Sequence, residues 1–400
     1  MNRQPYGTPP QWWPPKLSPT WVRMTRRWRR GQLANKQQII DISVDGAQHL
    51  CDAVAAGHGV LIAPNHSAHY DSAALYVAAD GLKLPLYFMT AWQVFAMSSG
   101  FERFAMQRLG CFSIDREATD RQAYKQAVEI LESHAHPLVI FPEGDIYHTS
   151  ERVTPFREGA AAIALSAAKR DKRPIAVVPC AIKFTYVDDP SDGLRDLMCR
   201  LEDRLYLRKQ PELPLPERIH RFAEALLALK ELDYLGRTSQ GRIRERIIAL
   251  IEQVLTQLES RHEVHVNGRT PPERAKELRR RIIAQLESEA DDVVDRPVRL
   301  AQLQQDMEDV FFVIQCFSYP GDYLAESQNI ERLAETADKF EEDVFGVDVP
   351  GVRGRRRVRV RFGAPLEVRR GKQARDQAAE LTRQMQDAVQ QLLNELNAGE

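Results

Sequence analysis

His66 and Asp71 lie five residues apart in Val60-Leu61-Ile62-Ala63-Pro64-Asn65-His66-Ser67-Ala68-His69-Tyr70-Asp71, an apolar run that breaks into polar residues. A carboxylate bonded to one imidazole nitrogen fixes the tautomer and leaves the other nitrogen basic toward a substrate hydroxyl. On a continuous helix five residues turn about 500°, so these two side chains would not share a face. They meet only if His66 sits in the turn after a buried strand and Asp71 in the first coil of the next helix. The same segment offers His66, His69 and Asp71 as metal ligands. However, H-x-x-H-x-D is not the H-x-H-x-D-H spacing of binuclear metallohydrolases, and no downstream histidine cluster supplies the missing donors. No metal is expected, and a metal-dependent hydrolase is the alternative enzyme class.

Three further segments carry polar residues at the ends of apolar runs. Gly110-Cys111-Phe112-Ser113-Ile114-Asp115-Arg116 ends in an Asp-Arg pair, and an arginine at a strand's carboxyl end can take phosphate or carboxylate through two parallel hydrogen bonds. Leu138-Val139-Ile140-Phe141-Pro142-Glu143-Gly144 breaks at proline and exposes a carboxylate beside a glycine, where backbone can approach a ligand. Val177-Val178-Pro179-Cys180-Ala181-Ile182 is an apolar strand with an internal proline. Each has a plain structural reading as well: surface salt bridge, turn, strand end.

The elements that would position these residues follow from periodicity. From Ile39 to about Tyr186, short apolar runs alternate with amphipathic stretches, the βα rhythm of an α/β domain. Strands are expected at Val60 to Ala63, Pro85 to Met89, Cys111 to Ile114, Leu138 to Phe141 and Ile175 to Phe184, and helices at Ser72 to Ala79, Thr119 to Ser133 and Glu158 to Lys169. Residues 188–350 differ: 34 acidic against 23 basic residues give a net charge of −11, and apolar residues such as Ile243, Ile247, Leu250, Ile251, Val254, Leu255 and Leu258 recur at helical spacing. Arg357 to Phe362 then alternates arginine with apolar residues as a strand does, and a helix over about Ala374 to Leu396 follows. The expected domains are therefore an arm (1–38), an α/β domain (39–187), an acidic all-helical insertion (188–350) and the closing strand and C-terminal helix (351–400).

The whole chain of 400 residues is nearly neutral, with 55 Lys+Arg against 56 Asp+Glu, which excludes a nucleic-acid-coating protein. The first 40 residues are the exception, carrying eight basic and no acidic side chains and four of the five tryptophans. Prolines favour an extended segment up to Pro19; beyond it Trp21, Met24 and Trp28 fall at helical spacing among arginines. Tryptophan at headgroup level with arginine toward anionic lipid makes an interfacial anchor, whereas an arm packed on the body would bury its tryptophans instead. The acidic insertion, by its charge, should not face anionic lipid, and dimerisation or a carrier-protein contact are roles open to it. No run of roughly 18 to 20 apolar residues marks a spanning helix, no cleavage pattern marks a signal peptide, and the five scattered cysteines lack a C-x-x-C pair, so a cytoplasmic, peripheral protein is expected.

Taken in order, NHSAHYD, GCFSIDR, FPEG with a following PFREGAA, and VPCAI resemble the glycerolipid acyltransferase family, whose best-known members acylate lysophosphatidate. RVRVRFGAPLEV resembles that family's closing strand. The resemblance covers about residues 40–187 and 355–370, and implies a mixed α/β sheet flanked by helices, with the acidic helices inserted before the last strand. It also implies phospholipid-type acyl transfer from acyl-CoA or acyl-carrier protein, with no bound cofactor and no covalent enzyme intermediate. By its N-H-x4-D motif His66 is the general base and Asp71 its partner, while Asn65, Arg116, Glu143, Gly144 and Arg157 fall to the acceptor. An inactive body kept as a lipid-surface scaffold is the non-enzymatic alternative. One departure stands out: the family usually follows F-P-E-G with Thr-Arg-Ser, and Asp145-Ile146-Tyr147 stands here. An aspartate beside a phosphate site repels it, so the acceptor is expected to lack an exposed phosphomonoester unless Arg157 or Lys183 compensates.

Overall fold

The computed structural model describes residues 10–116, 120–264, 268–288, 296–368 and 374–398. These divide into two compact units, one made of 191–351 and the other of the described parts of 8–190 and 352–400. The α/β unit runs α1 (Pro19–Gln37), β1 (Ile39–Asp45), α2 (Ala47–Ala55), β2 (Gly59–Pro64), α3 (Asp71–Gly81), β3 (Tyr87–Ala91), α4 (Trp92–Met97), α5 (Gly100–Arg108), β4 (Cys111–Ile114), α6 (Arg121–Ser133), β5 (Leu138–Val139), α7 (Gly159–Lys169) and β6 (Ile175–Tyr186). The helical unit follows as α8 (Ser191–Arg204), α9 (Leu215–Leu235), α10 (Ile243–His262), α11 (Pro271–Ser288), α12 (Arg296–Phe317), α13 (Tyr323–Glu326) and α14 (Ile330–Phe345). The chain then returns to the first unit with β7 (Arg356–Phe362), β8 (Leu366–Glu367) and α15 (Ala374–Ala398). Thr119, at the expected start of α6, lies outside the described residues.

Among the described residues eight strands form one mixed sheet in the order β1-β7-β6-β2-β5-β3-β4, with β8 also against β6. β6, β2, β5, β3 and β4 are parallel, and β7 runs antiparallel to β6 and parallel to β1. β2 reads as one continuous apolar run because helices cover both faces of the sheet there. Val60 and Ile62 join α1, α2 and α3 on one side through Leu33, Leu50 and Leu75; Leu61 and Ala63 join α6, α7 and α15 on the other through Val128, Ala164 and Met385. β1 was not expected as a strand: its Ile-Ile-Asp-Ile-Ser-Val-Asp sequence is half polar, and it forms by pairing with β7 far along the chain.

The segment before α1 is extended, as its prolines dictate, and lies along β4. Ser113 donates its N–H to Trp13, and Trp13 donates its own to Ser113 Oγ, so the arm covers the free edge of that strand. Trp12 packs edge-on to Phe112 and Trp13 stacks on Phe95, while Met24 and Trp28 on α1 point outward. Arg29, counted by sequence among the surface charges, turns inward to a buried two-pronged bond with Asp80, 2.5 and 2.6 Å, over the face of Tyr76.

In the helical unit, the apolar stripe of α10 packs with Leu278 and Ile282 of α11 and Met307 and Val313 of α12. Buried charges there are paired, Arg218 with Glu202 at 2.7 Å and Arg246 with Glu231 at 2.8 Å. No described helix is long and apolar enough to cross a membrane.

Candidate active site

The residues singled out by sequence gather beyond the carboxyl ends of β2, β5 and β4, where ligands bind in open parallel sheets. β2 stops at Pro64, His66 occupies the turn, and Asp71 opens α3, the one arrangement that the five-residue spacing allows. His66 Nδ1 lies 2.9 Å from Asp71 Oδ2. Asp71 is completely buried, and the same oxygen accepts the backbone N–H groups of Ser67 at 2.7 Å and Ala68 at 2.9 Å. These donors hold the carboxylate in place before the imidazole meets it. The His66 ring stacks on Phe141, centroids 4.1 Å apart, which sets the plane of the imidazole. With Nδ1 committed to Asp71, Nε2 is the ring atom left for a substrate, and the side chain is 18% exposed.

Two residues assigned to the acceptor by resemblance hold the loop in place. Asn65, buried, accepts the N–H of Ile182 at 2.7 Å and donates to its carbonyl at 3.0 Å. Its amide thus continues the β2–β6 ladder one step after the backbone has turned away. Glu143, also buried, accepts the N–H of His66 at 2.6 Å and that of Thr154 at 2.9 Å. Burial pushes its carboxyl up to about 8 against the lowering effect of those two amides. The amides of residues 66, 67, 68 and 144 are all engaged in this scaffold, so an oxyanion would draw its donors from elsewhere.

Sequence reading missed the outer brace. Gln386 and Gln390, one turn apart on α15, accept the N–H groups of Phe156 at 2.9 Å and Val153 at 3.0 Å, and thereby fix the loop that reaches Glu143. Their signal was two glutamines beside the apolar stripe Met385, Val389 and Leu393, where a solvated face would ordinarily be read.

Arg116 and Arg157 come together at Asp145. Arg116 donates to the Gly144 carbonyl and to Asp145 Oδ1 at 2.7 Å, and Arg157 donates to Asp145 Oδ2 at 2.9 Å. Gly144, at φ +81°, lies beneath the Arg157 guanidinium, where an added Cβ would fall 2.6 Å from its central carbon. Lys183, the other cation the sequence offered there, is buried and engages Asn397 at 2.6 Å and Glu151 at 3.6 Å. His69 lies beside His148, with ring centroids 5.8 Å apart.

Residues 42–183 match the family model described as Acyltransferase, a span that holds every residue of this site from Asn65 to Arg157. No curated protein matches the chain in sequence. A buried carboxylate bonded to one nitrogen of a partly exposed imidazole, on the expected mixed sheet and inside the matched span, supports acyl transfer. The chain thus carries, over residues 42–183, a domain of the acyltransferase family.

Proposed function

We propose that the protein is an O-acyltransferase that moves a fatty acyl group from acyl-CoA or acyl-carrier protein to the hydroxyl of a lysophospholipid or related lipid acceptor at the cytoplasmic face of a membrane. The observation that carries the reading is the 2.9 Å contact of His66 Nδ1 with a buried Asp71. Nε2 takes the hydroxyl proton while the hydroxyl oxygen bonds to the thioester carbonyl carbon. The C–S bond then breaks, and the departing sulfur takes the proton back from the imidazolium to leave as a free thiol. Asp71 stabilises the imidazolium between these steps. No serine enters: Ser67 is buried and its backbone serves Asp71.

The lipid surface is supported by an outward face of α1 and α5. Met24, Trp28 and Phe101 are 72%, 54% and 64% exposed, and Trp21 meets Phe104 edge-on, which joins the two helices in one apolar and aromatic patch. Arg23, Arg26, Arg27, Arg30 and Lys36 of α1 are exposed around it.

The test is thiol release from palmitoyl-CoA by pure protein across lysophosphatidate, other lysolipids and non-phosphorylated alcohols. His66→Ala should lower turnover by about 10²-fold to 10⁴-fold with the circular dichroism spectrum unchanged. Turnover that survives in that variant would remove His66 from the reaction.

A further inference from the structure

Side chains alternate across the sheet along β7, so Arg356, Val358, Val360 and Phe362 share one face and Arg357, Arg359 and Arg361 the other. The first face is the buried one: Val358 and Val360 are 0% exposed, Phe362 1% and Arg356 5%. An arginine thus occupies a slot whose neighbours along the strand are all apolar. A buried cation there is costly unless an acid offsets it, whereas an apolar residue of similar length would carry no such penalty. Among the described residues no carboxylate pairs with Arg356, and its Nε has no hydrogen-bond partner. The guanidinium is turned instead to the hydroxyl of Tyr70, to which Nη1 donates, and to the carbonyl of Gln37, which accepts from Nη2 at 2.8 Å. It also lies 4.7 Å from the centre of the Tyr70 ring and 5.9 Å from that of Tyr186.

Tyr70 is the last residue of the turn that carries His66. Its carbonyl accepts the N–H of Ala74 at 2.9 Å to start α3, and Asp71, which follows it directly, closes the turn on the Ala68 carbonyl at 3.1 Å. Its ring meets Phe184 edge-on, centroids 4.9 Å apart. The stretch from His66 to Asp71 is therefore held at its first residue by Glu143 and next to its last by the anchored Tyr70. We propose that Arg356 is a positioning residue, which fixes Tyr70 and so sets where Asp71 meets His66. That the anchor serves acyl transfer rests on the reaction proposed above; the anchor itself does not.

Arg356→Met keeps an unbranched chain in the slot and removes the donors. It should unfold at a denaturant concentration no lower than the unsubstituted protein, while kcat for thiol release falls about tenfold and both KM values stay within about twofold. By hydrogen-exchange mass spectrometry the amides of Ser67 and Ala68, which hold Asp71, should exchange about tenfold faster with α7 unchanged. A residue that serves stability alone would lose unfolding midpoint and activity together and speed exchange throughout. That result overturns the proposal, as does an unchanged kcat or unchanged exchange at Ser67 and Ala68. Tyr70→Phe removes only the hydroxyl; it should speed the same two amides, and should lower kcat less within Arg356→Met than by itself. Equal loss in both backgrounds overturns the proposal, and so does unchanged exchange in Tyr70→Phe, even where Arg356→Met fails to fold. Absent thiol release from the unsubstituted protein, with the exchange pattern as expected, would remove the reaction and leave the anchor standing.

Discussion

Glu143 is a side chain on which burial and hydrogen bonding pull in opposite directions. Burial raises its carboxyl to about 8, above the ordinary carboxylate range, although two backbone N–H groups favour the anion. A carboxyl raised on folding binds more protons in the folded than in the unfolded chain. Its contribution to stability is thus full below the ordinary value near about 4 and is lost as the pH rises through about 8. The swing is on the order of 5 kcal/mol. Denaturant unfolding of the unsubstituted protein and of Glu143→Gln across this window should show the difference between them falling steadily with pH; a flat difference would show that Glu143 does not carry this proton. At this scale the His66–Asp71 pair was legible, because spacing and turn geometry left one way for them to meet. Asn65 and Glu143 were not, since their partners are the backbone of Ile182 and of His66 and Thr154, and no residue type records where a main-chain amide will lie.

Between strands, the amide of Asn65 does what a further residue of β2 would have done. It satisfies both backbone groups of Ile182 while the chain itself bends away to present His66. Asn65→Ala would remove both bonds and leave a buried N–H and C=O unpaired, at a cost of about 2–4 kcal/mol. Unfolding experiments should show that loss together with reduced turnover; loss of turnover at full stability would instead place Asn65 against the substrate. The buried strands were legible from their apolar runs and α7 and α15 from their stripes. β1 was not, because alternating polar residues fit a strand only once β7 is there to pair with it, and α15's glutamine brace was not, because it depends on which loop that helix covers.

For the molecule as a whole, the neutral total charge conceals two opposed parts: a cationic, aromatic arm and an acidic stretch, residues 188–350, carrying net −11. The arm divides its labour. Trp12, Trp13 and Arg29 tie it to the sheet unit, and Met24, Trp28 and four arginines of α1 face outward. Each exposed arginine near an anionic bilayer contributes about 1 kcal/mol, so binding to vesicles containing phosphatidylglycerol should weaken steeply with salt. Replacing Met24, Trp28 and Phe101 together by serine should lower vesicle partitioning by about tenfold or more with turnover on a soluble acceptor retained. Unchanged partitioning would assign the lipid surface to another face. The composition shift at either end of residues 188–350 was readable as a change of architecture, but the inward turn of Arg29 was not, since five arginines in eight residues look alike until Asp80 selects one.

The position of β7 has a consequence for how this protein is made. It lies inside the sheet, between β1 and β6, yet Ile39 must wait for Arg356 and Cys180 for Phe362 before either strand finds that neighbour. At ordinary translation speeds the interval is on the order of tens of seconds, during which the nascent chain carries two unsatisfied strand edges while the helical unit emerges and can already fold around its own core. A ribosome that stalls in that interval releases a polypeptide that has most of its catalytic side chains and a sheet open at its seam, a natural substrate for chaperones.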